Sequence, residues 1–201
     1  MNALEGKIGL ITGASGGLGR FVTEAFLAAG AARKIAGDIM TRFGRLDVVV
    51  HVMGGFSGGK SVAETDDETL DKMLQLNYRS AFFVARAVLP YMRQQASGRI
   101  LAVASRQAVE PGAMVGAYSA SKAALVALIR TIALENKDHN ISANTVLPGT
   151  MDTPANRAAD PTADPSQWVQ PAQVAALLVH LASDAGAQVT GAAIPVYGGQ
   201  V

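Results

Sequence analysis

Apolar positions along this chain follow two rhythms. Short continuous runs occur at Ile8–Thr12, Leu46–Met53 (LDVVVHVM), Ile100–Val103 and Ile141–Leu147. The second is rich in β-branched residues, as a parallel strand buried on both faces requires. Between these runs apolar residues recur at helical spacing, over Phe21–Ala29, Glu68–Gln95, Ala117–Asn136 and Ala172–Ser183. Strands alternating with helices predict an α/β fold, a doubly wound parallel sheet of Rossmann-like type. A length of 201 residues suits one domain over 1–201. The proline-rich stretch Pro148–Pro171 is too long for a plain connection and reads as a functional loop that could close as a lid.

Composition narrows the functional classes. Apolar residues make up 49% and charged residues 16%, so some apolar surface is expected to lie between subunits. Seventeen Lys and Arg against sixteen Asp and Glu give no net field that would draw nucleic acid or an anionic membrane, and neither is an expected partner. No stretch approaches the ~18 apolar residues of a membrane span. Without cysteine there is no disulfide framework, no thiolate nucleophile and no Cys-ligated metal. Three scattered His without His-Glu-x-x-His spacing leave no metal site expected. A cytoplasmic enzyme fits these features.

Two stretches carry chemistry. Thr12–Gly19 reads TGASGGLG directly after the first strand, with Gly13, Gly17 and Gly19 spaced as in a dinucleotide-binding turn. Ser15 and Leu18 complete that turn, whose helix N-terminus offers free N–H groups to a pyrophosphate. Tyr118-Ser119-Ala120-Ser121-Lys122 opens a helical run, which sets Tyr118 and Lys122 one turn apart on one face. Ser105 ends the preceding strand, at the carboxyl edge of the sheet where ligands bind in this architecture.

TGASGGLG, Asn77 in LNYRSAFF, Ser105, the Tyr118–Lys122 pair, and Pro148-Gly149 with Thr153 in PGTMDT together resemble the short-chain dehydrogenase/reductase family, from Gly6 to Gly199. The resemblance implies an NAD- or NADP-dependent oxidoreductase acting on a small carbonyl or alcohol, assembled as a homotetramer or else a dimer. It implies Tyr118 as the acid/base and Lys122 as the group that holds the nicotinamide ribose and lowers the tyrosine pKa. Ser105 would steady the substrate oxygen, and Asn77 would support a water relay. Gly54, Pro148, Gly149 and Thr153 join the cofactor residues. Where the family usually has Asn-Asn-Ala-Gly, this chain has His51-Val52-Met53-Gly54, and His51 reads as a strand-end histidine bonded to backbone rather than a ligand. Gly54–Gly59 and Asp152–Trp168 are similar to dihydropteridine reductase, so a pteridine or quinonoid reductase is an alternative, as is a non-catalytic dinucleotide-binding module. Trp168 either covers the nicotinamide or substrate, or packs its loop onto the body.

One part of the pattern is short. Between Gly30 and the strand at Leu46 the fold needs two more strands and a helix, and only Ala31–Arg45 is present. Ile35, Ile39 and Phe43 fall at i, i+4 and i+8, which predicts one helix and leaves the second and third strands missing. Asp38 follows Gly19 by about the spacing of a ribose-binding acid, a coincidence if the segment is helical. Strands of ~5 to 6 residues, a helix of ~11 to 12 and loops of ~4 to 6 put the deficit at roughly 35 to 45 residues. The expectation is an interruption of the chain between about Gly30 and Ala36.

Overall fold

The computed structural model describes residues 3–16, 18, 32–33 and 36–199. Among them, β1 (Ile8–Thr12), β2 (Ala32–Arg33), β3 (Val48–His51), β4 (Gly98–Val103), β5 (Ile141–Pro148) and β6 (Ala193–Val196) form one sheet in the order β2-β1-β3-β4-β5-β6. All five pairings are parallel. The order turns back between β1 and β3, which makes the carboxyl ends of those strands the switch point where a doubly wound sheet opens a crevice. The helices are α1 (Ala36–Phe43), α2 (Asp67–Leu74), α3 (Ser80–Gln95), α4 (Gly116–Glu135), α5 (Pro154–Ala159) and α6 (Pro171–Ala182).

Continuous apolar strands are explained by a core on each face. Val48, Val50, Leu101, Val103 and Val146 point to one side and pack against Val174, Leu178 and Leu181 of α6. Val49, Ile100, Ala102, Ala143 and Leu147 point to the other, against Val88 and Met92 of α3 and Leu125 and Ile129 of α4. Successive strand residues alternate between these sets, so no position in β3 or β4 is free for a solvated side chain.

Several expectations need correction. The second strand is not absent: Ala32–Arg33 forms β2 and pairs with Ile8–Gly9 of β1. The helix expected over Ala31–Arg45 is confined to α1, because its first residues are taken by that pairing. Asp38 lies inside α1, the helical placement in which its spacing is coincidental. The full sequence of 201 residues runs without a break from Gly30 to Ala36, so the expected interruption is not there and the segment before β3 is short in the chain itself. The helix read over Phe21–Ala29 lies outside the described residues.

The run Glu68–Gln95 is not one helix but α2, a π-helical turn over Gln75–Arg79, and α3. A π turn inserts one residue into the helical ladder, here around the buried Asn77. By length and mean hydropathy alone α4 is apolar enough to cross a membrane, a test that buried core helices also meet, and Ser119, Ser121, Lys122 and Arg130 interrupt its apolar residues. Its buried face includes Ser119, Ser121 and Lys122 and packs on the sheet. The segment Pro148–Pro171 is not a bare loop: it holds α5 and a 3-10 turn at Pro165–Gln167, and is bridged to itself at Met151 and Val169. Strand β6 was not signalled at all, being four residues long and containing Pro195, which an edge strand tolerates.

Candidate active site

The first strand delivers the chain to the switch point through Gly13, whose φ of +71° is in the left-handed region. A Cβ there would stand 2.7 Å from the Met53 backbone nitrogen, so only glycine lets this turn press against the exit of β3. Gly16 N–H donates to the Gly13 carbonyl at 3.0 Å and closes the turn. A crevice of about 380 Å³ follows, lined by Gly13, Ser15, Leu18, Gly54, Tyr118 and Lys122 among others. Gly17 and Gly19 lie outside the described residues.

Gly54 marks the closest approach in this crevice. A Cβ on it would come within 2.6 Å of Asn77 Oδ1 and 3.1 Å of Lys122 Nζ. Asn77 is fully buried and fully committed. Its Oδ1 accepts from Gly55 N–H at 2.9 Å, and its Nδ2 donates to the Gly55 carbonyl at 3.0 Å and to Ser121 Oγ at 2.9 Å. Ser121 Oγ in turn donates to the Tyr118 carbonyl at 2.7 Å. The π turn, the loop after β3 and the first turn of α4 are thereby tied at one point.

Ser105 leaves β4 in extended conformation and caps the next 3-10 turn, its Oγ accepting from Gln107 N–H at 3.2 Å. It also hydrogen-bonds the Tyr118 phenol. Burial pushes the Tyr118 phenol above its ordinary value, and the Ser105 bond partly opposes this. Lys122 is buried, with Nζ donating to the Val103 carbonyl at 2.9 Å. Burial lowers its ammonium to about 8. Burial is the larger influence on the Tyr118 phenol in this arrangement, and the hydrogen bond from Ser105 is what opposes it.

His51 ends β3 and is 2% exposed. Its Nδ1 lies 2.9 Å from Thr12 Oγ1 and its Nε2 3.2 Å from Ser80 Oγ. Ser80 spends its proton on the Leu76 carbonyl at 2.6 Å, so it must accept from a protonated Nε2, leaving Nδ1 to accept from Thr12. The ring is neutral in this scheme. Burial, and then the charge of Lys122, hold its pKa down to about 4. Its partners are two hydroxyls, not the backbone groups the sequence suggested.

A larger cavity of about 680 Å³ adjoins the crevice, and Tyr118, Phe56 and Met151 line both. Pro148, Gly149 and Trp168 line the larger cavity and are not among the residues of the smaller one. Thr153 lines neither; its Oγ1 accepts from Asn156 N–H at 3.2 Å and caps α5. Sequence reasoning missed Ser121, Phe56 and the Thr12–His51–Ser80 chain. Ser121 sits inside the quoted Tyr-to-Lys stretch and could have been found by its helical position relative to Tyr118. The other contacts join residues far apart in sequence and leave no local signal.

A family model described as enoyl-(acyl carrier protein) reductase matches residues 26–200. A 3-oxoacyl-(acyl-carrier-protein) reductase of Thermotoga maritima is 29% identical over 245 positions, covering 98% of this chain and 99% of that protein. The chain belongs to the short-chain dehydrogenase/reductase family. It is an NAD(P)-dependent oxidoreductase of that family. A 4-formylbenzenesulfonate dehydrogenase of Comamonas testosteroni is 30% identical over 181 positions, 84% of this chain and 72% of that one. The rat dehydrogenase/reductase SDR family member 6 is 29% identical over 244 positions, with 99% of each chain covered. The crystal structure of gox2181 superposes with a TM-score of 0.88 at 24% identity, covering 98% of this chain and 96% of that one, a likeness of fold. The Thermotoga alignment is longer than this chain by more than forty positions, so that relative carries residues with no counterpart here.

Proposed function

We propose that this short-chain reductase reduces a small carbonyl compound with Tyr118 as the proton donor, working at the junction of the two cavities. The observation that carries this reading is the Tyr118 phenol, hydrogen-bonded to Ser105 and shared by both cavity walls. The residues of the smaller crevice fit a nicotinamide nucleotide: Gly13 and Gly54 leave room where a Cβ would collide, and Lys122 offers a cation beside them. Gly13, Ser15, Gly17, Leu18, Gly19 and Gly54 would hold the nucleotide, with Lys122 on the ribose hydroxyls. A bound reduced nicotinamide supplies the hydride to the carbonyl carbon. Ser105 holds the carbonyl oxygen, and Tyr118 gives it the phenolic proton as negative charge develops there. A phenol held above its ordinary pKa is protonated at neutral pH and ready for that transfer. Asn77 keeps Gly55 and Ser121 in register, so Tyr118 and Lys122 start from fixed positions.

The reading extends to one catalytic domain over residues 1–201 in a cytoplasmic setting, and to a homotetramer, with a dimer as the runner-up. Phe82, Phe83 and Tyr91 of α3 and Leu134 of α4 are exposed large side chains that a second copy would cover. Light scattering at micromolar concentration tests the assembly, and a monomer mass would count against it. The catalytic assignment is tested by Tyr118→Phe, which removes the proton and little binding surface. Turnover should fall by ~10² to 10⁴ while cofactor affinity stays within about threefold. A variant keeping more than about a tenth of the parent kcat would overturn the role of Tyr118.

A further inference from the structure

The larger cavity has a charge and a shape that carbonyl reduction by itself does not require. Of its described lining residues, Arg106 and Asp160 alone carry full charges. The Arg106 charge is already balanced: Nε donates to Glu110 Oε2 at 2.7 Å, and the guanidinium lies 4.7 Å from the centroid of the Tyr197 ring. Asp160 differs. Its Oδ1 accepts from Thr162 N–H at 3.3 Å and Thr162 Oγ1 at 2.9 Å, and among the described ion pairs none involves it. Among the described residues, the cavity wall thus carries an unbalanced carboxylate and no spare cation for an acidic substrate group.

The apolar part of the wall is aromatic. Phe56 is 68% exposed, with the tip of its ring over Gly58, where an added Cβ would fall 2.9 Å from Phe56 Cζ. It meets Tyr118 edge to face, with centroids 5.0 Å apart and planes at 74°. Trp168 lines the same cavity from a separate element, the segment leading into α6. Aromatic faces attract flat rings in stacked or edge-on geometry at little entropic cost. The volume of about 680 Å³ lies within the usual range for small-molecule sites.

We propose that this cavity selects uncharged carbonyl compounds built on a flat ring, held by Phe56 and Trp168, and that Asp160 excludes substrates bearing an anionic group. The proposal rests on the carbonyl-reductase reading. A fixed carboxylate raises the energy of a nearby anion, more so as water is displaced from the cavity, and salt screens the effect. Asp160 is thus a specificity-determining residue, while Phe56 and Trp168 set the shape.

The test follows NADH and NADPH oxidation by the full chain with four carbonyls: 4-methylbenzaldehyde, 4-carboxybenzaldehyde, a straight-chain aldehyde and acetoacetyl-coenzyme A. The methyl compound should exceed the carboxy compound and the thioester in kcat/KM by about tenfold or more. Asp160→Asn should raise the carboxy-to-methyl ratio by about fivefold, Asp160→Lys should raise it further, and both gains should shrink in high salt. Trp168→Ala and Phe56→Ala should lower the aromatic-to-aliphatic ratio by about tenfold. Each comparison is a ratio within one variant, so a fraction of unfolded protein cancels. A preference of the parent chain for the anionic aldehyde or the thioester would overturn the proposal and leave carbonyl reduction standing, as would a ratio unmoved by Asp160→Lys. Turnover of none of the four would overturn the proposal together with the reading beneath it.

Discussion

The Asn77 side chain and the Gly55 backbone exchange two hydrogen bonds, Gly55 N–H to Oδ1 at 2.9 Å and Nδ2 to the Gly55 carbonyl at 3.0 Å. This amide pairing holds the loop after β3 against the π turn and leaves no room at the neighbouring Gly54. Gly54→Ala places a methyl group 2.6 Å from Asn77 Oδ1 and 3.1 Å from Lys122 Nζ, both of which are anchored elsewhere. Overpacking of this kind costs about 1 to 3 kcal/mol. Urea denaturation should register that loss, and kcat/KM for the cofactor should fall by about tenfold or more. A variant with unchanged cofactor KM would show that the crevice at Gly54 is not where the nucleotide lies.

The pH dependence of the reaction should divide by direction. Burial raises the Tyr118 phenol, so reduction, which needs the protonated form, has its acid ready at neutral pH, whereas alcohol oxidation needs the phenolate and should speed up as pH rises. Burial lowers Lys122 to about 8, so its ammonium is lost above that pH and kcat/KM for the reduced cofactor should decline there. Initial rates in both directions across the alkaline range check this. A reduction profile that stays flat through pH 8 and beyond would separate Lys122 from cofactor binding.

His51 should make the fold acid-sensitive. Its folded pKa of about 4 lies below the ordinary 6.5, so between those values the unfolded chain takes up a proton that the folded chain refuses. Stability is then level above about pH 6.5 and falls as the pH drops toward about 4, by up to about 3 kcal/mol. His51→Asn keeps a donor for Ser80 and an acceptor for Thr12 and has no such proton. Chemical denaturation of both proteins over this range should show a slope in the parent that the variant lacks; parallel curves would assign the acid sensitivity to other groups.

The cofactor should be chosen with little regard to its adenosine end. Arg33, the last residue of β2, pairs opposite Gly9, three positions short of the Thr12 end of β1, and α1 begins at Ala36. In a dinucleotide fold, the side chain that reads the 2′ position lies at the carboxyl end of that strand. NADH and NADPH should therefore support turnover with kcat/KM values within about tenfold of each other. A preference of a hundredfold or more would mean that another part of the chain reads the 2′-phosphate.

Much of this protein could be read from the order of its residues. Val48–Val50 and Ile100–Val103 are apolar at every position, and only a strand covered on both faces buries them all, so the layered architecture follows from local pattern. Tyr118 and Lys122 are one helical turn apart, a spacing that sets them on one face before any tertiary contact exists. Glycine at 13 and 54 pointed to close backbone approach for the same reason, since the missing side chain is visible in the sequence. Tertiary structure alone decided what those groups touch. Asn77 reaches Gly55 and Ser121, 22 and 44 positions away, through a π turn that the apolar rhythm of Glu68–Gln95 conceals. His51 finds hydroxyls on β1 and α3, 39 and 29 positions away, and its neutral state comes from their burial. The upward shift of Tyr118 arises in the same way, because desolvation is a property of what surrounds a group in space. Periodicity along a chain records which face is buried; distances, proton locations and pKa values depend on neighbours that only folding brings together.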